Sequence, residues 1–196
     1  MWNERYRIEE YVYGTEPNDF LREHAGKLTG PVLSVAEGEG RNAVFLAGMG
    51  LEVVGVDGAE VGIAKGERLA KTRGVNVRWV HSDLRHYDPG HRTFNAVVSI
   101  FAHTEPDIRK ALHDKLARCL KPGGILLLEA YTPAQACRDT GGPRDPALCM
   151  SVDLLREELP GFDFLIAREV EREVIEGKLH TGMASVVQLL AVKTGA

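Results

Sequence analysis

With 196 residues, 44% of them apolar and 27% charged, the chain is long enough to bury a substantial core and has an ordinary globular composition. A net charge of −4 without a basic block excludes the footprint of a nucleic-acid binder. The start Met1-Trp2-Asn3-Glu4-Arg5 lacks the apolar core of a signal peptide, and no apolar run approaches the ~20 residues that cross a bilayer. Three scattered cysteines, Cys119, Cys137 and Cys149, make neither a disulfide framework nor a zinc site. The expectation is a cytoplasmic protein with reduced thiols and no metal.

Trp2, Tyr6, Tyr11 and Tyr13 form an aromatic cluster ahead of Gly14-Thr15-Glu16-Pro17-Asn18. Residues 1–31 read as a segment that packs on the body of the domain, lies as a lid over a pocket, or does both. Asn18 or Asp19 caps a short helix from Phe20 to Lys27, which Thr29-Gly30-Pro31 ends. Val32 to Val35 suits a buried strand. The chain then turns through Glu37-Gly38-Glu39-Gly40 into an apolar run, Ala43 to Ala47, that starts a helix. Gly38 and Gly40 carry no Cβ and let backbone approach a ligand. The unpaired N–H groups of the helix start face whatever sits there. The spacing Gly38-x-Gly40-x-x-Ala43 fits a dinucleotide fingerprint, but a tight ligand-free turn uses the same glycines.

Leu51 to Asp57 reads as a second strand ending in an acid. A helix follows, Ala59 to Arg73, with Val61, Ala64 and Leu69 inward; Gly62 and Gly66 weaken its propensity, so packing must support it. Val75 to His81 is a third strand, followed by Ser82-Asp83-Leu84 and a loop, Arg85 to Thr93. Phe94 to Ile100 is a fourth strand. Ile108, Leu112, Leu116, Cys119 and Leu120 recur at helical spacing until Pro122-Gly123-Gly124. Ile125 to Ala130 is apolar on both faces, as a central parallel strand is. Residues 132–151, rich in Pro, Gly and Arg, read as an insertion loop near the substrate pocket. Val152, Leu155 and Leu159 mark a short helix. Phe162 to Val174 and Ala184 to Val192 form an antiparallel hairpin joined through Glu176-Gly177-Lys178.

This order predicts one α/β domain over residues 1–196. Its sheet is doubly wound, seven-stranded and mostly parallel, with strand and helix alternating five times before the C-terminal antiparallel hairpin. Ligands of such sheets bind beyond the carboxyl ends of the strands. There the chain places Glu37, Asp57, Asp83, Ser99 and Tyr131.

Asp57 suits the ribose of NAD or of S-adenosylmethionine equally. Three features separate the two: the terminal hairpin, Asp83-Leu84 after the third strand, and Leu120-Lys121-Pro122-Gly123-Gly124 before the fifth. With E-G-E-G-R-N, they resemble class I S-adenosylmethionine-dependent methyltransferases over about residues 10–193. Y-G-T-E-P, E-G-E-G-R-N-A and L-H-T-G are similar to small bacterial tellurite-resistance (TehB-like) and thiopurine-type members.

The resemblance implies a Rossmann-like methyltransferase fold, with S-adenosylmethionine as cofactor and S-adenosylhomocysteine as product. It places Ala36, Glu37, Gly38, Gly40 and Asn42 around the methionine part of the cofactor. Asp57 and Gly58 fall at the ribose, Asp83 and Leu84 at the adenine, and Ser99 and Ile100 at the methionine amino group. The chain departs from the family at Ser34, where an acid is common, and at Ala36, where a glycine is usual. Glu37 either supplies the missing carboxylate or is a helix-start acid favoured by the dipole. His180 matches a histidine near the substrate pocket of tellurite-resistance relatives, and Thr181 stands where some of them have arginine.

Methyl transfer from a sulfonium is an in-line displacement in which alignment alone is worth ~7–11 kcal/mol. A base is needed only where the nucleophile must lose a proton. The candidate catalytic residues are His180, His103 and Tyr131. His103 is either a reactive or orienting group or a structural one. Tyr11, Tyr13, Arg138 and Arg144, with Glu105, are candidate substrate contacts; the two arginines are solvated loop residues or, with His180, attract an anionic acceptor. The expected activity is methylation of a small molecule, a thiol or chalcogen compound. The alternatives are a protein or natural-product amine or hydroxyl, or cofactor binding without turnover. No nucleic-acid or membrane partner is expected, and the chain is a monomer or homodimer.

Overall fold

In the computed structural model, residues 2–177 and 180–195 are described. Lys178 and Leu179, parts of the expected hairpin link and of the L-H-T-G motif, lie outside the described residues, as do Met1 and Ala196. The N-terminal segment holds α1 (Trp2–Arg5) and α2 (Asp19–His24), the latter extended by a 3₁₀ turn, Ala25–Lys27. Then come β1 (Val32–Val35), α3 (Arg41–Gly48), β2 (Val53–Asp57), α4 (Glu60–Arg73), β3 (Arg78–His81), β4 (Phe94–Ile100) and α5 (Pro106–Cys119). β5 (Leu120–Tyr131), α6 (Val152–Glu158), β6 (Phe162–Glu176) and β7 (His180–Lys193) complete the chain.

The strands form a seven-stranded sheet in the order β3-β2-β1-β4-β5-β7-β6. β1 to β5 are parallel, and β7 runs antiparallel to both β5 and β6. β1, β4 and β5 are apolar on both faces because helices cover both: Leu33 and Val35 pack with Leu112 and Leu116 of α5, while Val32 packs with Phe20 and Leu21 of α2 and Leu46 of α3. The strand order reverses between β1 and β4, and Val35 pairs with both Val56 and Ser99. The carboxyl ends of β1, β2 and β4 therefore open together on one crevice. Among the described residues no helix is long and apolar enough to cross a membrane.

Several expectations need correction. No helix separates β3 from β4 among the described residues, so the alternation falls short of five. β3 is a short, half-exposed edge strand and needs less cover. β2 and β3 start at Val53 and Arg78, later than expected. β5 starts earlier, at Leu120, and Pro122-Gly123-Gly124 is an irregularity within it, where pairing jumps from Phe94–Leu120 to Ala96–Ile125. The hairpin is longer at its tip, where Glu176 pairs with His180. Residues 132–151 contain two 3₁₀ turns, Pro133–Cys137 and Pro146–Leu148.

Ala64 is exposed, whereas Gly62 and Gly66 face inward. A Cβ on Gly66 would lie 2.6 Å from the Trp79 ring, and one on Gly62 would lie 2.8 Å from the Gly38 carbonyl oxygen. The two glycines forgo helix propensity so that α4 can sit directly against the glycine turn and β3.

Candidate active site

The turn after β1 is built from residues with positive φ. Ala36 stands at φ 51, Gly38 at 60 and Gly40 at 94. For Ala36 this left-handed conformation costs roughly 1–2 kcal/mol. A Cβ on Gly38 would meet Tyr6 Oη at 2.7 Å, and one on Gly40 would meet Gly66 Cα at 2.6 Å. Gly38 thus permits a close cover over the turn, and Gly40 lets α3 approach α4.

Glu37 is buried, 6% exposed. Its Oε1 accepts the Ala43 N–H at 2.7 Å, and its Oε2 accepts the Ser34 hydroxyl. Burial pushes its carboxyl up to about 7, with the Ser34 and Ala43 bonds opposing the shift. Glu37 therefore ties the start of α3 to Ser34 in β1. Asp57 joins the turn to the end of β2: Oδ2 accepts the Gly38 N–H at 2.8 Å and Oδ1 accepts the Ala59 N–H at 2.7 Å. Asp83 is exposed, and Arg85 grips it at 2.7 Å, holding its carboxyl near 2.

A cavity of ≈ 680 Å³ opens on these strand ends, within the range of ligand sites. Of the expected cofactor residues, Ala36, Glu37, Gly38, Asn42, Asp57, Gly58, Asp83, Leu84 and Ile100 line it. Gly40 lies at the α3–α4 contact, and Ser99 is buried inside β4. Tyr13, Glu105, His103, Tyr131 and His180 also line the cavity. Tyr11, Arg138 and Arg144 do not. The Tyr11 hydroxyl donates to the Lys65 carbonyl at 3.1 Å, Arg138 pairs with Glu171, and Arg144 pairs with Asp139 at 2.7 Å in solvent. The long loop therefore places neither arginine at the cavity.

The N-terminal segment covers the opening, with Trp2, Arg5, Tyr6, Tyr13 and Gly14 on its wall. Glu39 fastens it: Oε2 accepts the Val12 N–H at 2.8 Å, while Oε1 pairs with Lys65 at 2.5 Å and Lys65 donates to the Glu10 carbonyl at 2.7 Å. The segment packs on the domain and contributes part of the cavity wall.

The inner end is aromatic. Phe101 stacks on Tyr131 at 4.6 Å, and His180 meets Phe101 edge-on at 4.9 Å and Tyr13 at 4.5 Å. Phe101 is held at φ 52, a strained conformation of the sort that concentrates at functional sites. His103 has no nitrogen to spare. Its Nδ1 lies 2.9 Å from the Leu148 carbonyl, and its Nε2 accepts the Tyr131 N–H at 3.2 Å. Burial pushes it down to about 4, so it is neutral and pins the loop to the end of β5. His180 is pushed down to about 3, also by burial.

Behind the rings lies a buried ionic network. Arg41 Nη2 pairs with Glu176 at 2.5 Å; Arg172 reaches Glu176 at 3.0 Å and Glu129 at 2.5 Å. Asn18 caps α2 through Leu21 and donates Nδ2 to both glutamates at 2.8 Å. Among the described residues Arg41 Nη1, Thr104 Oγ1, Tyr131 Oη and His180 Nδ1 are buried without partners, and all four residues line the cavity. Arg41, Phe101 and Thr104 were not anticipated. The available signal was Arg41 itself, since a cation at a helix start opposes the dipole and needs an anionic partner.

This strand order, with a single antiparallel β7 and a glycine turn beside an acid-ended second strand, defines the class I S-adenosylmethionine-dependent methyltransferase fold. Residues 32–124 match the family model described as a methyltransferase domain. The chain has that fold and is similar to that family over just under half of its length, and its cofactor is S-adenosylmethionine. The 2-heptyl-1-hydroxyquinolin-4(1H)-one methyltransferase of Mycobacteroides abscessus is 28% identical over 60% of this chain and 53% of its own. The glycine/sarcosine N-methyltransferase of Parasynechococcus marenigrum is 34% identical over 65% of this chain and 45% of its own. The chain thus spans about half the length of these curated relatives. Among solved structures, TehB from Haemophilus influenzae superposes with a TM-score of 0.74 at 18% identity, covering 98% of this chain and 66% of that one.

The cavity fits the cofactor. Its lining includes the glycine turn at Gly38, the carboxylate of Asp57 and, among the described residues, buried polar atoms without protein partners on Arg41, Thr104, Tyr131 and His180.

Proposed function

We propose that the chain methylates a small molecule whose accepting atom already carries a free lone pair, a thiolate or chalcogen anion. The observation that supports this is the state of the ionisable groups at the inner end. His103 has both nitrogens engaged, His180 is pushed down to about 3, and Glu37 has both oxygens on Ser34 and Ala43. His103 and Glu37 have their acceptor atoms engaged, and His180, whose Nδ1 has no partner among the described residues, is too weak a base at about 3 to take a proton near neutrality, so a nucleophile that needs no deprotonation suits the site.

When bound, S-adenosylmethionine supplies a methyl group on a sulfonium. In this reading Asp57 and Gly58 meet its ribose, and Leu84 and Asp83 its adenine, with Asp83 turning from Arg85. Backbone from Ala36 to Gly38 and at Ile100, with Asn42, holds the methionine part. Phe101, Tyr131 and Tyr13 exclude water and orient the acceptor, which is the alignment that supplies most of the rate. A small-molecule acceptor agrees with the names of the curated relatives. A cytoplasmic location belongs to the same proposal and rests on three free cysteines.

The test is release of S-adenosylhomocysteine with a panel of thiols, selenite, tellurite and amines. Turnover with the soft anions supports the reading. Turnover confined to amines or hydroxyls overturns it, and tight cofactor binding with no turnover across the panel favours a binding protein.

A further inference from the structure

A buried ionic cluster lies outside the cavity, between α5 and α6. Arg109 and His113 stand one turn apart on α5, 4% and 1% exposed, and both meet Glu158, the last residue of α6. Arg109 donates Nε and Nη2 to Glu158 at 3.2 and 3.1 Å, and His113 Nδ1 lies 2.7 Å from Glu158 Oε2. Burial opposes the charge on Glu158, but His113 and Arg109 hold its carboxyl below the usual carboxylate range. Buried ion pairs add little stability over well-packed apolar side chains. What they add is direction, because a guanidinium held along one edge aims its remaining nitrogen.

Here that nitrogen has a target. Arg109 Nη1 donates to the Ala147 carbonyl at 2.9 Å, in the 3₁₀ turn Pro146–Leu148. The next carbonyl, that of Leu148, lies 2.9 Å from His103 Nδ1. Leu148 lines the cavity, as do Gly142 and Pro143 earlier in the same loop. The loop also rests on Tyr131. A Cβ on Gly142 would lie 2.7 Å from Tyr131 Cδ2, and the Met150 N–H donates to the Tyr131 carbonyl at 2.9 Å. The turn at Ala147 therefore links the ionic cluster to the ring that stacks on Phe101. The bonds of the cluster run to α6 and to this turn, away from the glycine turn and the ends of β2 and β3.

We propose that Arg109 is a positioning residue for methyl transfer. Glu158 and His113 orient its guanidinium, the guanidinium fixes the turn at Ala147, and the turn sets the wall that Leu148, Gly142 and the Tyr131 ring present to the acceptor. The effect on turnover rests on the proposed methyltransferase activity, whereas the effect on Tyr131 does not.

Fluorine NMR of the full chain labelled with 3-fluorotyrosine reads the wall directly. The chain has five tyrosines, and Tyr131 is assigned by its loss in Tyr131→Phe. Arg109→Lys keeps a charge beside Glu158 but loses the fork that also reaches Ala147. The Tyr131 resonance is expected to move or split in Arg109→Lys, while that of Tyr11, held on α4 through the Lys65 carbonyl, stays in place. S-adenosylhomocysteine affinity by calorimetry should stay within about twofold. With selenite and with the fastest thiol of the acceptor panel, kcat/KM should fall about tenfold or more, the cost of a misplaced acceptor. Glu158→Gln frees the guanidinium without removing it and should show the same signs in smaller measure; it carries the test if Arg109→Lys does not fold. An unmoved Tyr131 resonance in a folded variant makes the cluster a tie between two helices and overturns the proposal. A moved resonance with unchanged kcat/KM overturns it too, since the wall then does not orient the acceptor. A wild type that binds no S-adenosylhomocysteine and methylates nothing overturns the methyltransferase reading instead, and leaves the Tyr131 resonance to decide whether Arg109 sets the wall.

Discussion

Asp57 Oδ2 accepts the backbone N–H of Gly38 at 2.8 Å, and this bond ties the end of β2 to the glycine turn. The same carboxylate serves the Ala59 N–H at 2.7 Å. An alanine here leaves two donors without acceptors and releases the turn that forms the cavity wall. Asp57→Ala is expected to weaken S-adenosylhomocysteine binding about tenfold or more and to lower stability by about 1–3 kcal/mol. Calorimetry and urea unfolding read the two effects. Unchanged affinity would remove Asp57 from the site.

Ala36 occupies a left-handed backbone position, φ 51, that glycine adopts without strain. Ala36→Gly relieves that strain at some cost in unfolded-chain entropy. The net expectation is a gain of about 0.5–1 kcal/mol. For a chain of this size that raises the melting temperature by about 1–4 °C. A lower melting temperature would mean that the alanine methyl makes contacts worth more than the strain.

The parts of the molecule that local pattern encodes were legible in the sequence. β1, β4 and α5 are short apolar runs or periodic segments bounded by glycine and proline, and the acid ending β2 sits one strand away from the turn it supports. The inner end was not legible, because it is assembled from distant segments. Arg41 and Glu176 are 135 residues apart, and Asn18 and Glu176 are 158 apart. No local periodicity signals such a pair. Arg138 and Arg144 drew attention as loop cations, while Arg5, Arg41 and Arg85 are the arginines that line the cavity, Arg41 from the start of α3. Ala64 was placed inward because apolar counting prefers it to glycine, yet close approach to the Gly38 turn and Trp79 demanded Gly62 and Gly66.

Glu37 makes stability depend on pH. Its carboxyl is raised from 4.5 to about 7 in the folded chain, chiefly by burial. The folded state therefore binds this proton more tightly than the unfolded chain. The resulting stabilisation is complete below about pH 4.5 and is lost as pH rises through about 7. The size is ~2–4 kcal/mol. Glutamine keeps an oxygen for the Ala43 N–H and offers an amide to Ser34 without a charge. Glu37→Gln is expected to flatten the profile, so that it matches the wild type near pH 5 and exceeds it near pH 8. Urea midpoints at the two pH values decide the matter, and parallel profiles would show that Glu37 ionises in the folded protein as it does in the unfolded one.

In the proposed reading the inner end offers only weak or engaged bases, which gives the acceptor control of the pH dependence. His180 and His103 are both already neutral above about pH 4, so neither changes charge across the neutral range. With thiol acceptors, kcat/KM is expected to rise with pH around the ionisation of the thiol itself. Thiols that differ by about two pKa units should shift the midpoint by about the same amount. His103→Gln should leave that midpoint in place, because both imidazole nitrogens are already engaged, with the Leu148 carbonyl and the Tyr131 N–H. It should instead lower stability by about 1–3 kcal/mol, since the link between Leu148 and the Tyr131 N–H is disturbed. A midpoint that stays fixed near 6.5 for every thiol would point to a histidine acting as base, and its disappearance in the variant would identify His103 as that histidine.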